Sequence, residues 1–515
     1  MHTKISSATT IGVVAHEVDV EVDLSLGLMQ FNIVGLPDAA IKESRQRILT
    51  ALKNCGIRIP DRRITVNLAP ADLKKEGTLF DLPIALGILQ AAQQISIPKE
   101  FLSNTIWFGE LSLDGSIKPV RGALPIAYDA LHKLNKRRLV LPKNNAQEAA
   151  LIENLEVIGV DHLVELINYV RGEITIEPTK NDWRTFSQQL TGNVSDFSQV
   201  KGQRQAKRAL QIAAAGRHNV LFVGSPGSGK TMLAQRLPSI MPPLTFHEII
   251  ETSKVYSISG KLSGKDLVLE RPFRAPHHTI SQAGLIGGGS NPQPGEVSLA
   301  HHGILFLDEL TEFKHHTLEV LRQPMESKNV CIARATQTLE FPADFLLISA
   351  LNPCPCGFFG DKKKNCRCSQ VEIRRYLQKL SGPLLDRIDL QVHVQSVEYE
   401  TIKSTTEETS SKDLFTSITK ALEAQNKRFE CDTRFNHSMN TDEIKLHCKT
   451  TDAAEEIIKK AFNQLNLSMR GYHKILKVAR TIADLEGLEY IDVAHVQEAI
   501  TYRALEQTLE RMQQD

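Results

Sequence analysis

The chain has 515 residues, a length that at about 150 residues per domain points to roughly three domains. Its 61 Lys and Arg nearly cancel 60 Asp and Glu, leaving a formal +1, so any contact with DNA has to be local rather than a matter of bulk charge. With 41% hydrophobic and 23% charged residues, the composition is that of a folded globular protein and excludes disorder as the main state.

Residues 1–172 mix β-rich runs (Val18–Leu24, Ile64–Leu68, Ile106–Phe108) with helical ones. The spacing of Ile41, Ile48, Leu49 and Leu52 predicts a helix over Ala39–Lys53, closed by Gly56 in a left-handed conformation. From Arg171 to Asp196 the sequence turns polar and aperiodic, with Pro178 and Gly192, and residues 173–195 are expected to be a linker. Three short apolar runs follow, Asn219–Val223, Ile304–Leu307 and Phe345–Leu351. With helical segments between them they predict an α/β core over 196–394, built on a parallel sheet covered on both faces.

From 395 to 515 the pattern is helical. Asp452 and Glu455 are spaced as a capping box. Tyr472, Ile475, Leu476, Ala479, Ile482 and Ala483 lie on one helical face. Asp492 is placed to cap a final helix. Apolar runs such as Leu82–Leu89 are far shorter than the ~20 residues that span a bilayer. The N-terminus lacks a charged start followed by an apolar block, so no secretory signal is expected. Eight cysteines in so long a chain do not make a disulfide scaffold. A cytoplasmic protein with no membrane partner is expected.

The sharpest signal is Gly224-Ser225-Pro226-Gly227-Ser228-Gly229-Lys230-Thr231. Glycines let backbone N–H groups turn inward around phosphate oxygens, and the helix that follows adds its positive end. Lys230 is placed to reach the β- and γ-phosphates of ATP, and the Thr231 hydroxyl to coordinate Mg²⁺. The apolar run Val220–Val223 leads directly into this loop, as a strand should. Ile304–Leu307 then ends in Asp308-Glu309. Asp308 is expected to hold Mg²⁺, and Glu309 to orient and deprotonate the attacking water. Phe345–Leu351 ends in Asn352-Pro353. Asn352 is either an ordinary turn starter or a side chain that holds the lytic water.

In this order the motifs resemble those of AAA+ ATPases, and more narrowly their magnesium-chelatase-like branch. Asp196-Phe197 and Val200–Gln203 look like the adenine-side segment, and Arg271–Ser281 and Pro294–His301 like the branch's signature blocks. Leu384–Asp389 matches the block that carries the arginine finger, Arg387, and Ser468-Met469-Arg470 matches the sensor 2 arginine. Charge develops on the γ-phosphate oxygens during transfer, and a planar guanidinium from another subunit can stabilise it. The resemblance thus implies a homo-hexameric ring. Residue by residue, Arg387 and Arg470 have plainer readings as a surface ion pair and a solvated helix residue.

Phe108–Gly122 and Asn67–Gly77 resemble the proteolytic domain of Lon. Lon's serine would fall where this chain has Thr78, and its lysine in the stretch Ala123–Ala127. Without a Ser–Lys pair there is no activated nucleophile. A catalytically inactive Lon-like domain ahead of a chelatase-like AAA+ module is the layout of the ComM/YifB family. That resemblance covers the whole chain. It implies an ATP-driven helicase that moves single-stranded and branched DNA during natural transformation, with recombination proteins as possible partners. The rival readings are a magnesium-chelatase motor subunit and a protein remodeller without DNA specificity. Chelatase motors lack the Lon-like domain, and the chain has no D-x-S-x-S metal motif.

A translocating ring needs loops that grip phosphates. Val330–Glu340 reads as a hairpin presenting Arg334, Thr336 and Gln337, with Gly287–Gly289 as a second loop. In the insert 353–370, Cys354-Pro-Cys356 and Cys366-Arg-Cys368 are separated by nine residues. Four thiolates at two tight turns suit structural Zn²⁺, although C-x-C is closer than the usual C-x₂₋₄-C; redox chemistry and plain thiols are the alternatives. Lys362, Lys363, Lys364 and Arg367 make this insert the densest positive patch, a candidate for DNA. The pairs His277-His278, His301-His302 and His315-His316 are not expected to chelate, because strand neighbours point to opposite faces. Cys55, Cys331, Cys431 and Cys448 are expected to be buried.

Overall fold

The computed structural model describes residues 2–59, 61–73, 75, 77–181, 196–262, 267–289, 292–333, 338–361, 363–397, 408–465 and 467–503. Contacts divide the chain into two compact units. The first comprises Met1–Leu190, Ile249–Leu269 and Ala335–Glu340, and the second Thr191–Glu248, Glu270–Arg334 and Phe341–Asp515. Two stretches inside the expected 196–394 core therefore group with the N-terminal unit.

In the first unit a four-stranded sheet is ordered His2–Ile11, Val14–Ser25, Arg63–Ala69, Phe31–Val34. From Val18 to Leu24 the buried residues are Val18, Val20, Val22 and Leu24, the alternation of a strand with one face in a core. The helix Asp81–Ala91 is apolar all round and buried almost throughout, as such a helix must be. A parallel three-stranded sheet, Thr105–Trp107, Arg138–Pro142 and Glu156–Val160, completes the unit. The predicted helix runs Ala39–Asn54, capped by Asp38, and Gly56 is left-handed at φ +73°.

The second unit is built on five parallel strands: β1 (Val220–Val223), β2 (Phe273–Arg274), β3 (Ile304–Leu307), β4 (Leu346–Leu351) and β5 (Leu390–His393). They are ordered β2–β3–β4–β1–β5. Register pairs Val220 with Ile348 and Ile304 with Leu346. Strands β1, β3 and β4 are buried along their whole length, which is why they read as unbroken apolar runs. Their C-terminal ends carry Gly224, Asp308 and Asn352, so parallel pairing alone brings the three predicted motifs to one edge. The fold is an α/β AAA+ core with a parallel sheet.

The helices Ser411–Phe429, Thr441–His447, Asp452–Gln464, Met469–Glu486 and Val493–Thr501 follow. Their buried faces join the sheet in one hydrophobic cluster that extends from Phe197 to Tyr502. Asp492 caps its helix as read, and Ser468 caps Met469–Glu486. The cap expected at Asp452 falls one residue earlier, and no capping box forms there. Thr451 is the N-cap, its hydroxyl accepting from Ala454 N, and Asp452 is already helical. Among the described residues no helix is long and apolar enough to cross a membrane.

Candidate ATP site and its surroundings

Strand β1 delivers the chain into the phosphate loop, and Gly229, at φ +90°, turns it into the helix Lys230–Arg236. That left-handed conformation costs a side-chain-bearing residue about 1 kcal/mol or more. The Lys230 ammonium donates to Gly224 O (2.6 Å), Ser225 O (3.0 Å) and Asn352 Oδ1 (3.2 Å). All three acceptors are neutral, and burial lowers the amine's pKa. Asn352 thus sits beside the phosphate lysine. Thr231 Oγ1 donates to Asp308 Oδ2 at 2.6 Å. Two hard oxygen donors so close suit Mg²⁺, which keeps most of its remaining positions for phosphate and water.

Glu309 adopts φ +51°, a strained conformation for a residue with a side chain. Its N–H donates to Asp308 Oδ1 (2.9 Å), and its carboxylate lies 3.4 Å from His278 Nδ1. His278 is a positioning candidate that the sequence reading missed. The signal available was its place just after the strand that neighbours β3. Of the same block, Arg271 is buried against Glu248, and Arg274 pairs with Glu296 at 2.6 Å. Those two arginines are structural. Gln203, also left-handed, donates to Ser228 O (3.0 Å) and Gln395 O (2.6 Å), bracing the phosphate loop from behind.

Arg387 follows the short helix Gly382–Leu385. Its guanidinium donates to Glu326 and to Pro383 O (2.5 Å). Arg387 thus makes an ion pair, and its partner is Glu326. Asp389 is instead a buried hub: Lys474 lies 3.5 Å away, His437 3.1 Å and His218 3.7 Å. Burial alone would raise its pKa, but Lys474, His437 and His218 outweigh it and hold the carboxyl well below its usual range. Arg470 is exposed in the first turn of Met469–Glu486.

The four cysteines of the insert converge. Cys354, Cys356 and Cys366 have Sγ atoms 3.4–3.6 Å apart, and with Cys368 all four lie within 4.8 Å of one another. Tetrahedral Zn–S bonds of about 2.3 Å would set the sulfurs roughly 3.8 Å apart. Backbone N–H groups of Phe359, Cys356 and Cys368 donate to the sulfurs. The donor set fits Zn²⁺. Of the other cysteines, only Cys448 is buried; Cys55 and Cys431 are half-buried and Cys331 is exposed, on a strand of a two-stranded hairpin.

Lys363, Lys364 and Arg367 are exposed. The candidates Arg334, Thr336, Gln337 and Lys362 lie outside the described residues. Gly287–Gly288 pairs with Gln293–Pro294 as a short antiparallel ribbon. None of the three histidine pairs lies on a strand, so the geometric premise does not apply. The rings of His277 and His278 lie 4.0 Å apart, those of His301 and His302 3.8 Å apart, and His315 and His316 open the helix His315–Glu319. In the N-terminal unit Thr78 Oγ1 donates to Glu110, Arg47 is 2.9 Å from the buried Asp81, and the Lys75 amine donates to Pro70 O.

Three family models match in succession: subunit ChlI of Mg-chelatase over residues 20–145, magnesium chelatase subunit ChlI over 196–402, and the ChlI C-terminal region over 408–503. The chain is 42% identical over 514 residues to the competence protein ComM of Haemophilus influenzae, covering 99% of this chain and 98% of that protein. It is 38% identical over 510 residues to the uncharacterized protein YifB of Escherichia coli, with the same coverage. The chain belongs to the ComM/YifB family. A magnesium-chelatase-like AAA+ ATPase of this family works with ATP and Mg²⁺, and the phosphate loop, Asp308 and Thr231 are the groups that fit them. The ComM/YifB layout also includes the Lon-like stretch, which is 30% identical over 140 residues to Lon protease 2 of Bacillus subtilis, 27% of this chain and 23% of that protein.

Proposed function

We propose that this protein is a ring-forming ATPase that translocates DNA and drives branch migration of recombination intermediates in the cytoplasm during natural transformation. The observation that carries the ATPase part is the meeting of Lys230, Thr231, Asp308 and Asn352 through direct hydrogen bonds at one sheet edge. The full-length similarity to a competence protein supports the DNA part.

In this reading Lys230 and the amides of Gly224–Lys230 bind the phosphates, and Thr231 and Asp308 hold Mg²⁺. The ion neutralises phosphate charge when bound. Glu309, beside His278, takes the proton of the attacking water, and Asn352 orients that water. Arg387 reaches the γ-phosphate of the neighbouring subunit, Arg470 acts from the lid, and six copies close the ring. Four thiolates hold structural Zn²⁺. Arg334, Thr336, Gln337, Lys362, Lys363, Lys364 and Arg367 contact the single-stranded or branched DNA.

The test is ATP hydrolysis with and without a branched DNA, comparing the wild type with Arg387→Ala. Branched DNA should stimulate hydrolysis, and the variant should lose about 10³-fold in rate while still binding ATP. No response to any DNA would overturn the helicase reading and leave the ATPase. The names of the matching models favour one second reading, a magnesium-chelatase motor. Stimulation by a porphyrin with a partner subunit, in place of DNA, would select it.

A further inference from the structure

The cysteine cluster does not stand apart from the nucleotide site. Cys354 follows Asn352 by two residues, and Asn352 accepts from Lys230. The nine residues between Cys356 and Cys366 include two that touch the phosphate loop. Gly357, at φ +84°, passes so close to Pro226 that an added Cβ would lie 2.5 Å from its Cδ. Asp361 accepts a hydrogen bond from Ser225 Oγ through one oxygen. Through the other it accepts from the backbone N–H groups of Lys363 (2.7 Å) and Lys364 (3.2 Å). Behind the loop the cysteines pack on Ile373, Tyr376 and Leu377 of the helix Gln370–Leu377.

We propose that the metal held by the four cysteines braces the phosphate loop, so that metal binding and nucleotide binding strengthen one another. This rests on the zinc reading above. A nine-residue loop tied to one ion at both ends is a closed loop, and it presents Gly357 and Asp361 as a fixed wall to Pro226 and Ser225. Once the ion is gone, the cysteines keep weak N–H···S bonds and a small apolar cluster, and the loop keeps single bonds such as Asp361 N to Phe358 O (3.1 Å) and the Lys363 amine to Val397 O (3.1 Å). The wall then has to be ordered when nucleotide binds, which lowers the apparent affinity. Linkage requires the reverse effect at the same size: bound nucleotide raises the affinity for the metal by the same factor. Because the chain enters this wall directly from β4, the effect falls on the phosphate loop and on Asn352 together.

The test uses the full chain and two binding readouts. Metal analysis should give one zinc per chain. A fluorescent ATP analogue should bind about tenfold more weakly after zinc is stripped by a chelator, with affinity restored on reloading. Zinc competition against a chromogenic chelator should show about tenfold tighter zinc in the presence of the analogue. Asp361→Ala retains all four thiolates. It should keep one zinc per chain but lose most of the tenfold coupling in both directions.

If zinc is present and neither affinity responds to the other ligand, the brace is wrong and the zinc reading stands. The absence of zinc would overturn both. If the stripped chain unfolds, the chelator competition on loaded protein still decides: a zinc affinity indifferent to nucleotide overturns the proposal.

Discussion

Each unit of the chain carries a threonine whose hydroxyl donates to a carboxylate, Thr231 to Asp308 and Thr78 to Glu110. The first lies in the candidate ATP site and the second where the resemblance to Lon would put a serine nucleophile, yet the local pair is the same. What differs is how neighbouring cations are held. Lys230 has only neutral acceptors, so its charge is available to a phosphate. Arg47 is neutralised by Asp81, and the Lys75 amine is turned to a carbonyl. A hydroxyl beside a carboxylate is therefore a weak sign of chemistry, and an available cation beside it is a strong one.

The sharpest way to break this comparison is at the carboxylate that should act on water. Glu309→Gln is expected to lower ATP hydrolysis by about 10³-fold while ATP binding, measured by equilibrium titration, stays intact. Lys230→Ala should weaken that binding by about 100-fold, because it removes a charged donor to phosphate. Near-normal binding in this variant would mean that the neutral environment of Lys230 does not matter.

Two buried aspartates should show opposite pH behaviour. Burial pushes the Asp81 carboxyl up to about 6, against the help of Arg47. Its native state holds the proton that the unfolded chain releases near 4. The stability that this brings is complete below about 4 and is lost as pH rises through 6, amounting to roughly 2–3 kcal/mol. Asp389 is depressed, so its contribution is present above about 4 and is lost as pH falls below that. Asp389→Asn should cost about 3 kcal/mol at pH 7 and progressively less in acid. Asp81→Asn should flatten the decline between pH 4 and 6. Denaturant titrations across pH 3–7 check both signs. The smallest effect belongs to Thr78→Ala, which should leave ATP hydrolysis within a factor of two. The wild type should cleave no peptide.

The strands β1, β3 and β4 and the residues at their ends were legible in the sequence because a buried parallel strand is an unbroken apolar run. The phosphate loop was legible because its glycines and lysine are local in sequence. Contacts between distant residues left no such trace. Ser225 meets Asp361, Arg387 meets Glu326, and Lys207 pairs with Glu408 at 2.6 Å, each set by tertiary packing and none by a period. The misplaced cap at Thr451 has a simpler cause. Thr451 and Asp452 are both good caps, and one residue of phase decides between them. The ring contacts within the histidine pairs were not legible because strand geometry does not describe the loops and the helix that carry them.

The hydrophobic cluster that runs from Phe197 to Tyr502 has a mechanical consequence. The sheet and the C-terminal helices share one apolar interior, and the backbone of Gln391 in β5 donates to Tyr502 O at 2.9 Å. Heat should therefore melt them in a single transition. A protease cut between Val394 and Glu408 would break the chain without parting the pieces, and the nicked protein would still migrate as one body until denatured.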